Sequence, residues 1–435
     1  MSRCNENFLI AMREKILFIY YFIISHYILI SFTQQIPFVS NSNYYQRQGI
    51  LDFSPPPSTQ CQHTQTNTKV FKLKHILHHG TTPSNRHLFR QLNINDIEKD
   101  PLHPTAITFN EHVINSINVD GSEGTGEMNV KNLQVKEVPN AKDKTTVLSM
   151  AKMSYDAYIE LEPLKDHWID LEDWDTIPFG WEKDGVRGYV FSDSENKTII
   201  VAIKGTSLSY LPYGGGPISK NDKFNDNLMF SCCCAKIDIT WKGVCGCYKS
   251  GWNCDNTCLH KESNVEGSYF ISAKIIYEKV KKDFPDSDIW LTGHSLGGSL
   301  ASLLALNNSL PAFTYQTPGE LLYAKRLGLI THDSHKLPIY HFGHTADPIF
   351  MGVCNGRTSI CYHWGFAMET KCHTGLSCVY DTKSKLGWKS DIRSHGIVPF
   401  IEVIDNWNDI TNGKDDVASC INEENCKDCQ HWNFV

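Results

Sequence analysis

The feature that most constrains the fold is a glycine-framed serine in the segment Gly293-His294-Ser295-Leu296-Gly297. A short apolar run, Ile289 to Leu291, precedes it, and helix-forming residues from Gly297 to Leu306 follow it. This order of strand, tight turn and helix is typical of a nucleophile elbow, which holds a serine hydroxyl beside a helix N terminus. Gly293 and Gly297 permit the turn because a side chain there would collide with the neighbouring strand and helix.

Length and charge limit the classes of protein that the chain can belong to. With 435 residues, of which 41% are hydrophobic, it can bury one large core and a smaller appended region. A formal net charge of -7 argues against nucleic acid as a partner, because phosphate binding needs a basic surface. Protonation of the 19 histidines in an acidic compartment would make the charge more positive, so we expect binding to anionic membranes at acidic pH.

The amino-terminal region contains an almost wholly apolar run from Ile16 to Phe32, preceded by Arg13 and Lys15. Its length is near the lower limit for a membrane-spanning helix and exceeds the usual core of a signal peptide. We therefore predict a signal-anchor transmembrane helix over 16–33. Because basic residues favour the cytosolic side, residues 1–15 would be a cytosolic tail and the rest would face the lumen, as in a type II membrane protein. A cleaved signal peptide is the alternative.

The cysteines agree with a luminal location. Of the 16 cysteines only Cys4 precedes the apolar run, and in an oxidising lumen the others are expected to form disulfides. A zinc site at Cys426-x-x-Cys429 or Cys245-x-Cys247 is the alternative, but no second CxxC accompanies them at zinc-finger distance, so we predict no metal. Sequons at Asn196 and Asn307 are compatible with glycosylation.

The luminal part is expected to contain one catalytic domain. Firm helical periodicity begins at Val147, and two strands follow, so we place the start of this domain at residue 146. A long segment rich in cysteine, glycine and tryptophan interrupts this domain. It could serve as a lid over the serine, as a membrane-contacting flap or as a purely structural insertion. The predicted boundaries are a luminal N-terminal region 34–145, a domain 146–412 with a cysteine-rich insertion 208–260, and a cysteine-containing tail 413–435.

An oxyanion needs two N–H donors, one after the nucleophile and one from a loop that follows an earlier strand. Leu296 follows the serine directly. Thr206 lies in the loop Lys204-Gly205-Thr206-Ser207, after the predicted strand Thr198 to Ile203. We therefore predict an oxyanion hole formed by Leu296 and Thr206.

The serine also needs a base and an acid, which in this fold follow it in the order acid, then histidine. Asp347 follows the predicted strand Leu337 to Phe342 and is our acid. His395 lies in a polar turn before the apolar stretch Ile397 to Ile404 and is our base, with His373 as a distant second choice. With histidine as base, we expect activity to fall at low pH with a histidine-like midpoint.

Several blocks of sequence resemble a known family. GHSLGG at 293–298 with KGTS at 204–207 is similar to the class 3 lipases, within the α/β-hydrolases. The more distinctive blocks resemble the vacuolar autophagy-related lipases: HILHHGT at 75–81, CNGRTSICYHWGFAMETKCHTGLSCVYDT at 354–382 and GWKSDIRSHGI at 387–397. The expected fold is thus an α/β-hydrolase with a mixed, mostly parallel central sheet, cysteine-rich insertions and an N-terminal transmembrane helix.

This resemblance implies a function and a route through the cell. Such a protein is a single-pass luminal lipase that travels through the endoplasmic reticulum, the Golgi and multivesicular bodies to the vacuole or lysosome. There it hydrolyses phospholipids or neutral lipids and lyses autophagic bodies and intravacuolar vesicles. The family's triad would be Ser295, Asp347 and His395, and no cofactor is needed. The family's longer C-terminal region is expected to be short in this chain.

Two other functions remain open from the sequence. A generic luminal carboxylesterase or thioesterase would share the same triad without acting on bilayers. A non-catalytic membrane receptor on a hydrolase scaffold would not depend on Ser295. Protein partners are not indicated by any motif.

Overall fold

The computed structural model describes residues 68–81, 87–94, 105–116, 132–159, 169–170, 185–206, 220–265, 267–331 and 334–435. All of them belong to one unit, Phe53–Val435. The predicted cytosolic tail and signal anchor lie outside the described residues. Within the described ranges, no helix combines the length and the apolar character needed to cross a membrane.

A run of strands opens the described chain, and strands and helices alternate in its middle part. The strands are β1 (Thr68–Thr81), β2 (His87–Asn93), β3 (Thr105–Ser116), β4 (Asn132–Pro139), β5 (Ile169–Asp170), β6 (Val186–Asp193), β7 (Thr198–Ile203), β8 (Tyr248–Ser250), β9 (Asn253–Cys254), β10 (Asp288–His294), β11 (Ala312–Tyr315), β12 (Ile339–His344), β13 (Leu376–Tyr380), β14 (Cys420–Asn422) and β15 (Asn433–Phe434). The α-helices are α1 (Lys144–Asp156), α2 (Lys220–Met229), α3 (Asn256–Ser263), α4 (Tyr269–Asp283), α5 (Leu296–Asn308), α6 (Leu321–Arg326), α7 (Ile360–His363), α8 (Thr382–Leu386), α9 (Ile397–Asp405) and α10 (Trp407–Ile410). Short 3-10 helices cover Ser334–Lys336 and Ile392–His395.

The central sheet has 12 strands among the described residues, with the main order β14-β13-β12-β11-β10-β7-β6-β1-β2-β5. Outside this order, β3 pairs with β1, and β4 pairs with β3. The strands from β13 to β7 in this order run parallel, and antiparallel strands extend the sheet on both sides. The mixed sheet of the predicted α/β-hydrolase fold is confirmed. Because parallel strands point the same way, residues after β10, β11 and β12 gather at one edge of the sheet.

The middle of the sheet is covered on both faces, which explains its continuous apolar strands. Every residue of β7 is buried, and α5 buries its first 11 residues. Leu291 of β10 packs into the core that includes α4 and α5. The next side chain, Thr292, points to the opposite face. There its hydroxyl lies 2.9 Å from that of Ser154 on α1.

The N-terminal strands belong to the same sheet as the strands of the domain that we predicted to begin at residue 146. β1 pairs with β6 and β2, and β3 pairs with β1. The Trp290 indole N–H of β10 also donates to the main-chain oxygen of Glu137 on β4, at 3.0 Å. The segment from β1 to β4 looks separate in the sequence for two reasons. It is polar with only patchy periodicity, and β1 pairs with β6, which lies far along the chain.

The predicted disulfides are confirmed, and they include the cysteines of the predicted C-terminal tail 413–435. The described cysteines form seven bonds: Cys232–Cys429, Cys233–Cys254, Cys234–Cys245, Cys247–Cys258, Cys354–Cys361, Cys372–Cys426 and Cys378–Cys420. Three of them join 413–435 to the body, where β14 also pairs with β13 and β15 with β9. The cysteines of the zinc alternative all lie in these bonds, and the sulfurs of Cys234, Cys245 and Cys247 lie within 4.8 Å of one another.

Candidate active site

Ser295 occupies the tight turn between β10 and α5, with φ 56° and ψ -131°. A non-glycine residue with positive φ is strained by about 1–3 kcal/mol, and such strain is typical of functional turns. Its N–H donates to the main-chain oxygen of Tyr315 on β11 at 2.9 Å, which holds the turn. A Cβ at Gly293 would lie 2.6 Å from the carbonyl carbon of Gly297, and a Cβ at Gly297 would collide with the main chain of Ile203. The turn around Ser295 therefore depends on the absence of a side chain at both Gly293 and Gly297.

Ser295, His395 and Asp347 are brought together although they come from distant segments. The Nε2 atom of His395 lies 2.9 Å from the Ser295 hydroxyl oxygen, and its Nδ1 atom lies 2.9 Å from a carboxylate oxygen of Asp347. His395 and Asp347 are fully buried, and Ser295 is 7% exposed. With Nδ1–H donating to Asp347, Nε2 is left to accept the serine proton.

Asp347 is held in its charged form. Burial alone would raise its pKa, but the neighbouring His395 and the hydrogen bond between them lower it, as does the charge of His344. The Ile349 N–H also donates to the second carboxylate oxygen at 2.8 Å. The net effect is a pKa of Asp347 below its ordinary value, so this carboxylate can orient and stabilise His395.

Three side chains that the sequence did not single out hold the backbone of the base. His294 donates to the main-chain oxygen of His395 at 2.8 Å, while Gln316 and His344 both donate to that of Ser394, at 2.8 and 2.9 Å. Each of the three ends or directly follows one of the parallel strands β10, β11 and β12. In the sequence, each of them is recognisable only as a polar residue at the carboxyl end of a strand. Such a position indicates a role at the site only when the order of the strands in the sheet is known.

The protonation of His294 follows from its partners. A carbonyl oxygen can only accept, so Nε2 of His294 carries the hydrogen that bonds His395, and Nδ1 accepts from the Tyr158 hydroxyl at 2.9 Å. Burial, helped by the charge of His395, lowers the pKa of His294 to about 3. His294 therefore stays neutral and keeps this tautomer in mildly acidic solution.

The two predicted oxyanion donors lie beside the serine. Leu296 is the first residue of α5, so its N–H belongs to the helix N terminus and has no intrahelical partner. Thr206 lines the same pocket as Ser295, and its hydroxyl donates to a carboxyl oxygen of Asp226 on α2 at 2.8 Å. Burial raises the pKa of Asp226 to about 8, despite this hydrogen bond, so the carboxyl holds a proton in neutral and acidic solution.

The pocket above Ser295 is lined mainly by apolar side chains, which are Ile349, Trp364, Phe366 and Met368. Cys361 of the Cys354–Cys361 disulfide also lines it. Because Asp226 lies on α2, the described part of the predicted insertion 208–260 reaches the site. The start of that insertion lies outside the described residues, and a lid remains a prediction.

The second choice for the base, His373, lies elsewhere. Its Nδ1 atom is 3.0 Å from Glu423, its Nε2 atom donates to the main-chain oxygen of Thr317 at 2.9 Å, and both nitrogens are thereby occupied. The two sequon asparagines, Asn196 and Asn307, are both exposed. Their modification remains a prediction.

The strand order and the elbow define an α/β-hydrolase with a Ser-His-Asp arrangement. The family described as Lipase (class 3) matches residues 267–312, which include the elbow. A protein of Eremothecium gossypii named "Putative lipase ATG15" is 44% identical over 312 residues, which cover 68% of this chain and 56% of that protein. The ATG15 protein of Scheffersomyces stipitis is 36% identical over 463 residues, covering 87% of this chain and 72% of that protein. The chain therefore belongs to the ATG15 lipase family.

The chain spans little more than half the length of the Eremothecium gossypii relative. Among solved structures, the lipase from Rhizopus microsporus var. chinensis is 16% identical and has a TM-score of 0.29, covering 56% of this chain and 76% of that one. That likeness is too low to support a conclusion about fold or function.

Proposed function

We propose that the chain is a serine lipase or phospholipase that hydrolyses the acyl esters of glycerolipids. The observation that carries this proposal is the continuous contact from Ser295 through His395 to Asp347, with both distances at 2.9 Å. Lipases among its family relatives support the same reaction class.

The geometry suggests the following reaction. His395 accepts the Ser295 proton as the serine oxygen attacks the ester carbonyl, and the N–H groups of Leu296 and Thr206 stabilise the oxyanion. The tetrahedral intermediate collapses to an acyl-enzyme, and His395 gives its proton to the departing alcohol. Water, deprotonated by His395, then attacks the acyl group and releases the fatty acid, which restores the free serine.

An apolar acyl chain fits the pocket better than a polar substrate. Ile349, Phe366 and Met368 line it and are each less than 10% exposed. Removing a hydrocarbon chain from water against such side chains is favourable by about 0.8 kcal/mol per buried CH₂ group. This lining favours a lipid ester over the small soluble esters of a generic carboxylesterase.

We further propose that the lipase is a single-pass, lumen-facing protein that reaches the vacuole or lysosome through multivesicular bodies. The apolar run after Arg13 and Lys15 supports an anchor, and the seven disulfides support an oxidising compartment. Its substrates there would be the membranes of autophagic bodies and intravacuolar vesicles, as the resemblance of its sequence blocks to the vacuolar autophagy-related lipases implies.

A fluorophosphonate probe tests the catalytic proposal directly. We expect labelling of the full chain to disappear in Ser295→Ala and to persist in Ser302→Ala, whose serine lies on the same helix but hydrogen bonds to Ser299. We expect Asp347→Asn to lower kcat by about 10⁴-fold. Labelling without hydrolysis of phospholipid vesicles would favour the soluble esterase, and unchanged labelling in Ser295→Ala would contradict the proposal.

A further inference from the structure

Three large aliphatic side chains are exposed on segments that carry Cys361, which lines the Ser295 pocket, or that contact the residue next to it. Ile239 is 90% exposed, Val353 55% and Ile360 39%, and we call these three residues the apolar rim. Leaving large apolar side chains in water is unfavourable, so a cluster of them beside a pocket marks a surface that meets an apolar partner.

Specific contacts place the apolar rim beside the pocket. Val353 and Ile360 each precede a cysteine of the Cys354–Cys361 bond, whose Cα atoms are 5.7 Å apart, and Cys361 itself lines the pocket. The segment that carries Ile239 is tied to the same loop. Tyr362 donates to Asp238 at 2.9 Å, and the ring centroids of Trp241 and Tyr362 lie 5.0 Å apart.

The charges around the apolar rim are mainly positive. Lys236 and Lys242 flank Ile239, and Arg357 lies within the disulfide loop. No Asp or Glu occurs in the sequence between Asp347 and Glu369, and Asp238, the carboxylate next to Ile239, is 3.2 Å from Arg357. Apolar side chains combined with an excess of basic ones match the interface of a bilayer that contains anionic lipids.

We propose that the apolar rim and its basic neighbours form a docking surface for an anionic lipid bilayer. Docking in this orientation turns the pocket mouth towards the membrane, so that an acyl ester reaches the buried Ser295 hydroxyl without crossing water. This proposal rests on the proposed lipase function for its purpose, but the binding itself does not require catalysis.

Hydrogen exchange tests the docking surface in the full chain. The Ser295→Ala protein would be reconstituted into nanodiscs of phosphatidylcholine alone or of phosphatidylcholine with phosphatidylglycerol. The anchor region is then the same in both samples, and the lipid is not hydrolysed. We expect exchange in 237–242 and 353–364 to be slower by at least about threefold on the anionic nanodiscs. Equal exchange on both lipids, or protection that appears only with an added protein, would overturn the proposal.

Matched variants separate docking from folding and from catalysis. In the chain with Ser295 intact, we expect Ile239→Glu with Ile360→Glu to lower hydrolysis of anionic vesicles by about tenfold and to leave hydrolysis of a soluble short-chain ester unchanged. Ile421→Glu, on the exposed edge strand β14, is the control and should change neither. If the rim substitutions leave the rate of vesicle hydrolysis unchanged, the proposed docking surface is wrong.

The outcomes also distinguish the two proposals. If the unaltered chain hydrolyses neither substrate, the lipase proposal fails, while hydrogen exchange on nanodiscs still decides whether the surface docks. If the rim variants unfold at lower temperature than the control, the Ser295→Ala exchange result alone decides the question.

Discussion

The Nε2 atom of His294 lies 2.8 Å from the main-chain oxygen of His395, so the residue before the candidate nucleophile holds the backbone of the candidate base. The elbow and the histidine segment are thereby coupled directly, in addition to the contact between Ser295 and His395. His294 is a positioning residue, because both of its ring nitrogens are occupied by hydrogen bonds to Tyr158 and His395.

We expect His294→Asn to lower kcat by about 10- to 100-fold, because a small displacement of a base costs much of its effect on rate. KM for a soluble ester should change little, since the pocket lining is untouched. The control is His341→Asn, another fully buried histidine, which bonds Thr314 and Thr317 instead of the triad. Steady-state kinetics and thermal unfolding of both variants check this, and an equal loss of kcat in the control would contradict a positioning role.

The raised pKa of Asp226 predicts an alkaline limit to activity. Burial raises this pKa to about 8, so the carboxyl is neutral below that pH and becomes charged above it. A negative charge beside Thr206 would repel the oxyanion, and kcat should fall as the pH rises through 8. Asp226→Asn cannot ionise and should lose this decline.

Measurements of kcat on both sides of pH 8 test the role of Asp226. Asp222→Asn is the matched control on the same helix, where Asp222 accepts from the Tyr269 hydroxyl at 2.7 Å. An unaltered enzyme without an alkaline decline, or the same decline in Asp226→Asn, would rule out this explanation.

The bond Cys232–Cys429 should contribute most to stability among the disulfides, because it joins residues 197 positions apart. By lowering the entropy of the unfolded chain, a disulfide that closes such a loop stabilises the folded state by about 5 kcal/mol. A disulfide that closes a loop of a few residues contributes roughly half as much. We expect the double variant Cys232→Ser, Cys429→Ser to lose more free energy of unfolding than Cys354→Ser, Cys361→Ser, whose separation is 7. Guanidinium denaturation under non-reducing conditions measures both, and the reverse order would contradict the prediction.

The buried pair of His373 and Glu423 predicts a stability optimum in acid. Burial opposes the charge of His373, but Glu423 raises its pKa to about 8, from 6.5. Burial likewise opposes the charge of Glu423, but His373 lowers its pKa to about 2, from 4.5. The stabilisation from His373 is complete below pH 6.5 and is lost as the pH rises through 8. That from Glu423 is complete above pH 4.5 and is lost as the pH falls through 2.

Both contributions are complete between pH 4.5 and 6.5, and we expect Glu423→Gln to be most destabilising there, by about 2 kcal/mol. The control, Glu424→Gln, replaces an exposed neighbour on the same segment. Unfolding free energies measured across the pH range check this. If the difference in unfolding free energy between the two variants does not change with pH, the ion pair of His373 and Glu423 does not cause it.

Local patterns were sufficient for the centre of the fold and for its candidate site. The glycine spacing around Ser295 predicts the elbow because only glycines tolerate the close approach of strand and helix there. Asp347 was found because a polar residue after a buried strand must lie at the sheet edge. His395 was placed beside the last apolar element, and it lies in the 3-10 helix directly before α9.

Long-range relationships could not be derived in the same way. The pairing of β1 with β6 depends on a register between segments more than 100 residues apart, and a polar stretch such as β1 to β4 carries little local signal. Cysteine pairing has too many combinations to be chosen from spacing. The roles of Gln316 and His344 depend on the neighbouring strand ends, so they became visible only with the strand order.

The closure of the chain by Cys232–Cys429 has a consequence for biosynthesis. Segments separated by almost two hundred positions must meet before the cysteine-rich insertion beside the pocket is secured. A growing polypeptide that has not yet reached Cys429 lacks this link, and one that has not reached His395 lacks its base. The arrangement of Ser295, Asp347 and His395 can therefore form only after His395 has been synthesised, and it is secured by this disulfide only after Cys429 has followed.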